Sequence, residues 1–240
     1  MKQLNIALLA FIFIMGIVPE MCAQGIFIYK KDGSRIKVPY ENLDSIVPYE
    51  YESDSTNVDI LAVDLGLPSG TKWASHNIGA TKPEEYGDYF AWGEIKTKEE
   101  YTKNNYIYFD QSKNQFISIG DVISGSGYDA AFITWDDGWR MPTKEDFEEL
   151  MDCCFWTWTT LNGVNGYIVE SYNGNSIFLP AAGSRYETSL NNDGVSGSYW
   201  SGTIKENSAL YATDLLFYNY KYIIDYANRF SGHPIRPVKK

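Results

Sequence analysis

Gly138-Trp139-Arg140-Met141-Pro142-Thr143, followed by Lys144-Glu145-Asp146-Phe147-Glu148-Glu149-Leu150-Met151, is the stretch on which the fold turns. Thr143 is a good helix N-cap, because its hydroxyl can accept a hydrogen bond from an otherwise unpaired N–H of the first turn. Asp146, three residues on, can reach back to the Thr143 backbone as in a capping box, with Asp in place of the usual Glu or Gln. Glu145 and Asp146 also put negative charge at the positive end of the helix dipole. Pro142 is positioned to pack on Phe147 as a hydrophobic staple. Phe147, Leu150, Met151 and Cys154 fall at i, i+3, i+4 and i+7, which predicts a helix of about ten residues with one apolar face. Glu145, Glu148, Glu149 and Asp152 take the opposite face, whose plain reading is a solvated surface. A helix this short depends on tertiary packing.

Beyond this helix the pattern is β. Phe155 to Thr160 is aromatic and Thr-rich, and Asn162-Gly163 and Asn165-Gly166 read as turns. Tyr167 to Glu170 and Ile177 to Leu179 form a hairpin about Asn173-Gly174. Asn191-Asn192-Asp193-Gly194 is a polar loop leading into Ser198-Tyr199-Trp200-Ser201. Tyr211 to Phe217 and Tyr222 to Ala227 pair about Asn219, and Ile235-Arg236-Pro237-Val238 closes the chain. Before the helix, Leu61 to Leu65 is a strand, turned by Gly66, Pro68, Ser69 and Gly70 into Lys72-Trp73-Ala74. Tyr89 to Trp92 is a second aromatic segment. Residues 94–115 read as a polar surface excursion with a short strand at Tyr106 to Phe109. Gly125-Ser126-Gly127 marks a loop, and Asp129 to Phe132 a helical turn before Trp135.

The N-terminal region differs in kind. Met-Lys-Gln-Leu-Asn leads into an apolar run from Ile6 to Val18. That run is shorter than the roughly twenty residues a spanning helix needs. With Pro19 and Met21-Cys22-Ala23 after it, residues 1–23 read as a signal peptide cut after Ala23. No transmembrane segment is expected after its removal. A lipid anchor at Cys22 is disfavoured, because Met21 stands where such a site takes Gly, Ala or Ser. The expectation is an exported protein, in the periplasm, at the cell surface or outside the cell. Residues 24–51 read as a small unit, with Ile26 to Lys30 and Arg35 to Pro39 flanking Asp32-Gly33, a hairpin signal. Asn42 to Val47 adds a further short strand. Such a unit is too small to stand alone and should dock on the main domain or on another molecule. Residues 52–59 read as a polar linker, and 60–240 as the main domain.

A net charge of −11 argues against nucleic-acid partners, whose phosphates such a surface would repel. Aromatic residues make up 16% of the chain. They serve either a loop-rich core or a stacking surface for sugars, and composition does not choose between the two. Cys153 and Cys154 are neighbours, too strained to bridge each other, and read as a buried thiol and its neighbour rather than a disulfide framework or metal site.

Several separated blocks resemble one family. Val63-Asp64-Leu65-Gly66-Leu67-Pro68-Ser69-Gly70-Thr71-Lys72-Trp73-Ala74 resembles the opening of the Fibrobacter succinogenes major paralogous domain. Tyr89-Phe90-Ala91-Trp92-Gly93-Glu94, Trp139-Arg140-Met141-Pro142-Thr143 and Gly174 to Gly183 continue the likeness, as do Tyr199-Trp200-Ser201 and Ile235-Arg236-Pro237-Val238. More distantly, Gly138 to Thr143 with an Arg-containing terminal strand resembles the formylglycine-generating-enzyme branch of the C-type-lectin-like fold. The resemblance implies an α+β class: a compact, loop-rich C-type-lectin-like domain with antiparallel strands and few short helices, whose first and last strands pair. Members of this kind are secreted or surface proteins. The structural signature would be Trp139, Arg140, Pro142, Thr143 and Arg236, the two arginines anchoring loops through buried hydrogen bonds.

Catalytic patterns are weak. Formylglycine-generating enzymes use copper-binding cysteines, and Cys153 and Cys154 at a helix end do not match that pattern. His76 and His233 are far apart. Gly194-Val195-Ser196-Gly197-Ser198 lacks the last glycine of a hydrolase elbow. Asp136-Asp137 and Asn191-Asn192-Asp193 could supply oxygen ligands to calcium, but Asn and Asp in loops are explained by turn chemistry. No cofactor is expected. The expected function is a non-enzymatic recognition or adhesion module for a glycan or a surface protein. Candidate ligand contacts are Asn191, Asn192, Asp193, Tyr199 and Trp200, with 94–115 as a second loop. The alternatives are a structural subunit of a surface assembly and a carbohydrate-active enzyme using two carboxylates.

Overall fold

The computed structural model describes residues 25–29, 35–39, 62–135 and 138–240. The expected signal peptide, the Asp32-Gly33 turn, the strand at 42–47, the linker 52–59 and Asp136-Asp137 lie outside the described residues. In chain order the strands are β1 Gly25–Tyr29, β2 Arg35–Pro39, β3 Ala62–Asp64, β4 Lys72–Ala74, β5 Phe109–Asp110 and β6 Gln115–Phe116. Helices α1 Ala130–Trp135 and α2 Lys144–Cys153 follow. Then come β7 Cys154–Leu161, β8 Val164–Ser171, β9 Ser176–Pro180, β10 Ser184–Tyr186, β11 Ser189–Asn191, β12 Ser196–Ile204, β13 Tyr211–Tyr218, β14 Lys221–Asn228 and β15 Val238–Lys239. The molecule is built mostly of antiparallel sheets with two short α-helices among the described residues.

The stretch around α2 forms as its residues dictate. Gly138 turns the chain with φ +78, a left-handed conformation that glycine adopts without a Cβ clash. Arg140 then exchanges both backbone hydrogen bonds with Val238 at 2.9 Å, tying the helix entry to the chain end. Thr143 accepts from the Asp146 N–H at 3.3 Å, and the Asp146 carboxylate accepts from the Thr143 N–H at 2.7 Å. The capping box is therefore complete with Asp in the third position. The helix buries Phe147 and Leu150 fully, worth about 1.5–3 kcal/mol each. Phe147 packs on Trp73 with ring centroids 5.4 Å apart. One expectation shifts by a residue. The helix ends at Cys153, which completes its buried face, while Cys154 is buried as the first residue of β7. Cys154 is a free, buried cysteine.

The carboxylate face of α2 is not only a solvated surface. Glu149 accepts from the Ser69 N–H at 2.8 Å and the Ser69 hydroxyl at 2.6 Å, so it fixes the turn between β3 and β4. Glu148 pairs with Lys144 at 2.8 Å.

Two three-stranded meanders make up most of the domain. In one, β7, β8 and β9 pair in sequence, and in the other β12, β13 and β14 do so. Between them lies a core of Leu65, Trp73, Phe147, Val169, Leu179, Tyr199, Leu215 and Phe217. Asn162 and Gly163 make the expected positive-φ turn between β7 and β8. Asn165-Gly166 is not a turn. Both residues lie within β8, and a Cβ on Gly166 would meet the Leu179 carbonyl oxygen at 2.3 Å. Glycine is required there by the close approach of β9, not by a bend.

The closing strand corrects another expectation. β15 pairs with β4, which pairs with β3, so the last strand meets the second strand of the domain rather than the first. The preceding segment runs alongside, with Ala74 N–H on Pro237 O at 2.8 Å and Ile78 N–H on Ile235 O at 3.1 Å. Residues 94–115 are also not a free excursion. Their strand is β5, paired with β6, and Tyr101 and Tyr106 are buried against Tyr89 and Ala91. The Tyr106 hydroxyl donates to Trp92 O at 2.6 Å. Among the described residues no helix is long and apolar enough to cross a membrane.

Candidate functional site

The expected ligand loop divides into two unlike halves. Asn191, Asn192 and Asp193 are exposed. Asn192 has φ 57 and its carbonyl accepts from the Ser196 N–H at 2.9 Å, so the segment is a tight turn after β11. Tyr199 and Trp200 are fully buried and are not ligand contacts, which corrects the expectation for both. β12 is covered on its two faces, so alternate residues meet different cores: Tyr199 faces the core under α2 and Trp200 the core that includes Phe90 and Trp92. The Tyr199 hydroxyl donates to Pro180 O at 2.7 Å and accepts from Asn77 Nδ2 at 3.3 Å. The Trp200 indole donates to Phe90 O at 2.7 Å and stacks on His233 at 4.1 Å.

The signature residues hold the frame. Arg140 meets Asp146 through two hydrogen bonds of 2.6 and 3.1 Å. Burial pushes the Asp146 carboxyl up, but Arg140 and the Thr143 N–H outweigh it and the group lies below its ordinary value. Arg236 is fully buried. Its Nε donates to Asn77 Oδ1 at 2.7 Å, Nη1 to Ala74 O and Ser75 O at 3.2 Å each, and Nη2 to Phe178 O at 2.9 Å. Trp139 and Pro142 are buried beside them. Asp129, unremarked in the sequence beyond a helical turn, is a further hub. Its carboxylate accepts from the N–H groups of Gly125, Ala131, Phe132 and Met141.

A surface groove of about 660 Å³ opens where three segments meet. Its apolar part is Ile78, Phe90, Ile95 and Trp135, and its polar rim is Thr81, Asp88, Lys96, Thr97 and Thr134. Backbone contacts set its walls. Phe90 exchanges both backbone hydrogen bonds with His233 at 3.0 Å, and the Asp88 N–H donates to Ile78 O at 2.7 Å. The Glu94 N–H donates to Ala91 O in a turn that carries Ile95 to Thr97 round to the far wall. Trp135 is held edge-on by His76 and Trp139, each 5.3 Å away. Burial, then Arg236, keeps His76 below its ordinary pKa, so this wall is neutral near pH 7. Asp88, Lys96 and Thr134 are exposed, and no described residue hydrogen-bonds or ion-pairs with their side chains or with that of Thr97.

A second cleft of about 590 Å³ is lined by Phe116, Asp121, Thr203, Lys205, Glu206 and Arg229 among others. Arg229 there is engaged by the protein itself. Its three nitrogens donate to the Tyr106 hydroxyl, Ala209 O and Ile117 O at 2.9–3.1 Å, and its plane lies 4.9 Å over Trp92.

Candidate chemistry elsewhere is enclosed. His233 Nδ1 lies 3.6 Å from Asp214 Oδ2, and both groups are buried beneath Trp200. Ser196 and Ser198 lie buried inside β12, not on a strand-to-helix turn as a hydrolase elbow requires. Burial pushes the Cys154 thiol up to about 12, which leaves it protonated and unreactive. Among the described residues, no group of three or more His, Cys, Asp or Glu side chains is disposed to hold a metal ion. Asp88 is the sole carboxylate among the described residues that line the first groove.

The groove as a whole is not legible in the sequence because it is built from three separated segments with no fixed spacing. Ile95, Lys96 and Thr97 do fall within the 94–115 loop expected to contact a ligand, and Phe90 and Trp135 carry a signal as aromatic residues. Compared with known proteins, the chain matches no family model, no curated protein and no solved structure.

Proposed function

We propose that this chain is an exported, non-enzymatic recognition or adhesion protein of the bacterial envelope or surface, with a C-type-lectin-like domain of the Fibrobacter succinogenes major paralogous kind. The observation that carries the reading is a contrast in engagement. The half-buried Arg140 and the buried polar side chains Asp146, Arg229, Arg236 and Asp129 are bound to the frame, whereas Asp88, Lys96, Thr97 and Thr134 line a groove with nothing described to bind. Polar groups left available over an apolar floor are what a small-ligand or partner site presents. A single carboxylate among the described lining residues also disfavours hydrolysis by paired carboxylates, which needs two flanking one bond.

The test is a glycan array and a surface-protein pull-down with the mature chain from Gln24. Selective capture by either is expected. Turnover of a chromogenic glycoside that a single Asp or Glu change abolishes would overturn the non-enzymatic reading.

A structural subunit of a surface assembly is the second reading. β1 and β2 pair as a two-stranded antiparallel hairpin. A two-stranded hairpin is not stable alone, and in this reading it is the docking element. Deletion of residues 25–50 should then change oligomer size, measured by light scattering, while the main domain stays folded.

A further inference from the structure

Resting on that recognition reading, we propose that the groove between Trp135 and Lys96 takes a neutral sugar ring of a glycan, with the ring's apolar face against Trp135 and Ile95 and its hydroxyls held by Asp88, Lys96 and Thr97.

Four observations lead to this ligand class. The first is size: at about 660 Å³ the groove falls within the roughly 300–1,000 Å³ of small-ligand sites. The second is amphipathicity. Trp135 and Ile95 are half-buried at the groove over the buried Ile78 and Phe90, and five polar residues border them. A pyranose has the same division, with C–H groups on its faces and hydroxyls around its edge. An indole suits it as an aromatic surface of mixed character.

The third observation is charge. Among the described residues one carboxylate and one ammonium line the groove, and the neighbouring His76 is held neutral by its burial. Acidic sugars and phosphate esters therefore meet no net positive field, and the chain's net charge of −11 repels them further. The fourth is the donor and acceptor set. A carboxylate accepts from two hydroxyls, an ammonium donates up to three hydrogen bonds, and a threonine hydroxyl does both. Together these match hydroxyls, which are both donors and acceptors. A hard cation takes six or more oxygen ligands, and the described lining residues, one carboxylate with threonine hydroxyls, are a poor set for calcium. The site proposed from these residues binds without calcium.

Rigidity favours the site. Trp135 is fixed by His76 and Trp139, and Phe90 by its two backbone bonds to His233, so the apolar floor is formed before a ligand arrives.

The experiment uses the mature chain and saturation-transfer NMR. The probes are methyl glycosides of glucose, galactose and mannose, and N-acetylglucosamine, each with calcium and with EDTA. Sialic acid and a neutral tripeptide serve as competing classes. At least one neutral probe should receive saturation, equally in calcium and EDTA. Asp88→Ala should weaken its binding about tenfold, and Trp135→Ala by as much or more. Asp88 is exposed and hydrogen-bonds no described side chain, so its variant keeps the fold even if the Trp135 variant does not. Glu206→Ala in the second cleft should change nothing. Loss of binding in EDTA, or a preference for sialic acid or the tripeptide that Lys96→Ala removes, would overturn the ligand class. Sugar binding that survives both groove variants would sink this site while leaving the recognition reading intact. No transfer from any neutral probe to folded protein sinks the proposal. If the array and pull-down are blank as well, the recognition reading falls with it.

Discussion

Tyr199 and Trp200 are neighbours on β12, yet they face two buried polar centres that the molecule handles in opposite ways. On the Tyr199 side Arg236 is fully buried, and its three nitrogens meet four acceptors. Burial lowers its pKa to about 10, and it remains charged at neutral pH. On the Trp200 side Asp214 Oδ1 and His233 Nδ1 are buried with no hydrogen-bond partner. There the low-dielectric surroundings push both groups toward neutrality. Burial, and then the Asp225 charge, raise the Asp214 carboxyl to about 8, and burial lowers His233 to about 3. A guanidinium keeps its charge because its planar set of donors can be met by backbone carbonyls. A carboxyl with too few donors around it holds its proton instead.

The largest break in this comparison is expected at Arg236. Arg236→Met keeps the length of the side chain but strands the carbonyls of Ala74, Ser75 and Phe178 and the amide oxygen of Asn77. The expected loss is about 3–5 kcal/mol of unfolding free energy, read by urea denaturation. A smaller loss would mean that water replaces the guanidinium.

Asp146 is an intermediate case, because its charge is buried but paired. Asp146→Ala removes both bonds from Arg140 and the acceptor for the Thr143 N–H. A loss of about 2–4 kcal/mol is expected. Asp146→Asn should recover part of it by keeping an acceptor for the Thr143 N–H.

The Asp214–His233 centre predicts a pH dependence. Asp214 titrates near 8 when folded and near 3.8 when unfolded, so the native state holds the extra proton between those values. Its stabilising contribution is complete below pH 3.8 and is lost as the pH rises toward 8. His233 titrates near 3 when folded and 6.5 when unfolded, so its contribution grows between pH 3 and 6.5. The two slopes oppose each other from 3.8 to 6.5, and Asp214 acts alone from 6.5 to 8. Stability should fall by about 2 kcal/mol across that upper window, at about 1.4 kcal/mol per pH unit. Asp214→Asn should remove this slope. Parallel curves for the two proteins would show that the carboxyl is not protonated in the native state.

The smallest effect is expected at Thr143. Thr143→Ala loses the cap on α2 and should cost about 1 kcal/mol, with Thr143→Ser recovering it in thermal denaturation.

The local devices of this protein were readable one residue at a time. The Thr143–Asp146 box, the Asn162-Gly163 turn, the β8–β9 hairpin at Gly174 and the β13–β14 pair near Asn219 all stand where spacing and turn chemistry put them. Each depends on residues within a few positions of one another. Asn165-Gly166 had the same local signature and was misread, because the demand for glycine came from β9, more than ten residues away. Tyr199 and Trp200 were misread as ligand contacts for a related reason. An aromatic residue looks alike in sequence whether its face meets solvent or a second sheet.

By itself, the sequence determined the helix cap, the apolar seam of α2, the tight turns and the succession of antiparallel strands, because those follow from torsional preference and short-range periodicity. Tertiary structure alone decided that β15 pairs with β4, that Arg236 and Asp214 meet different fates when buried, and that Asp88, Lys96 and Trp135 share one groove. Those outcomes rest on which distant backbone groups and side chains come within hydrogen-bond reach, and burial sets the energetic weight of each.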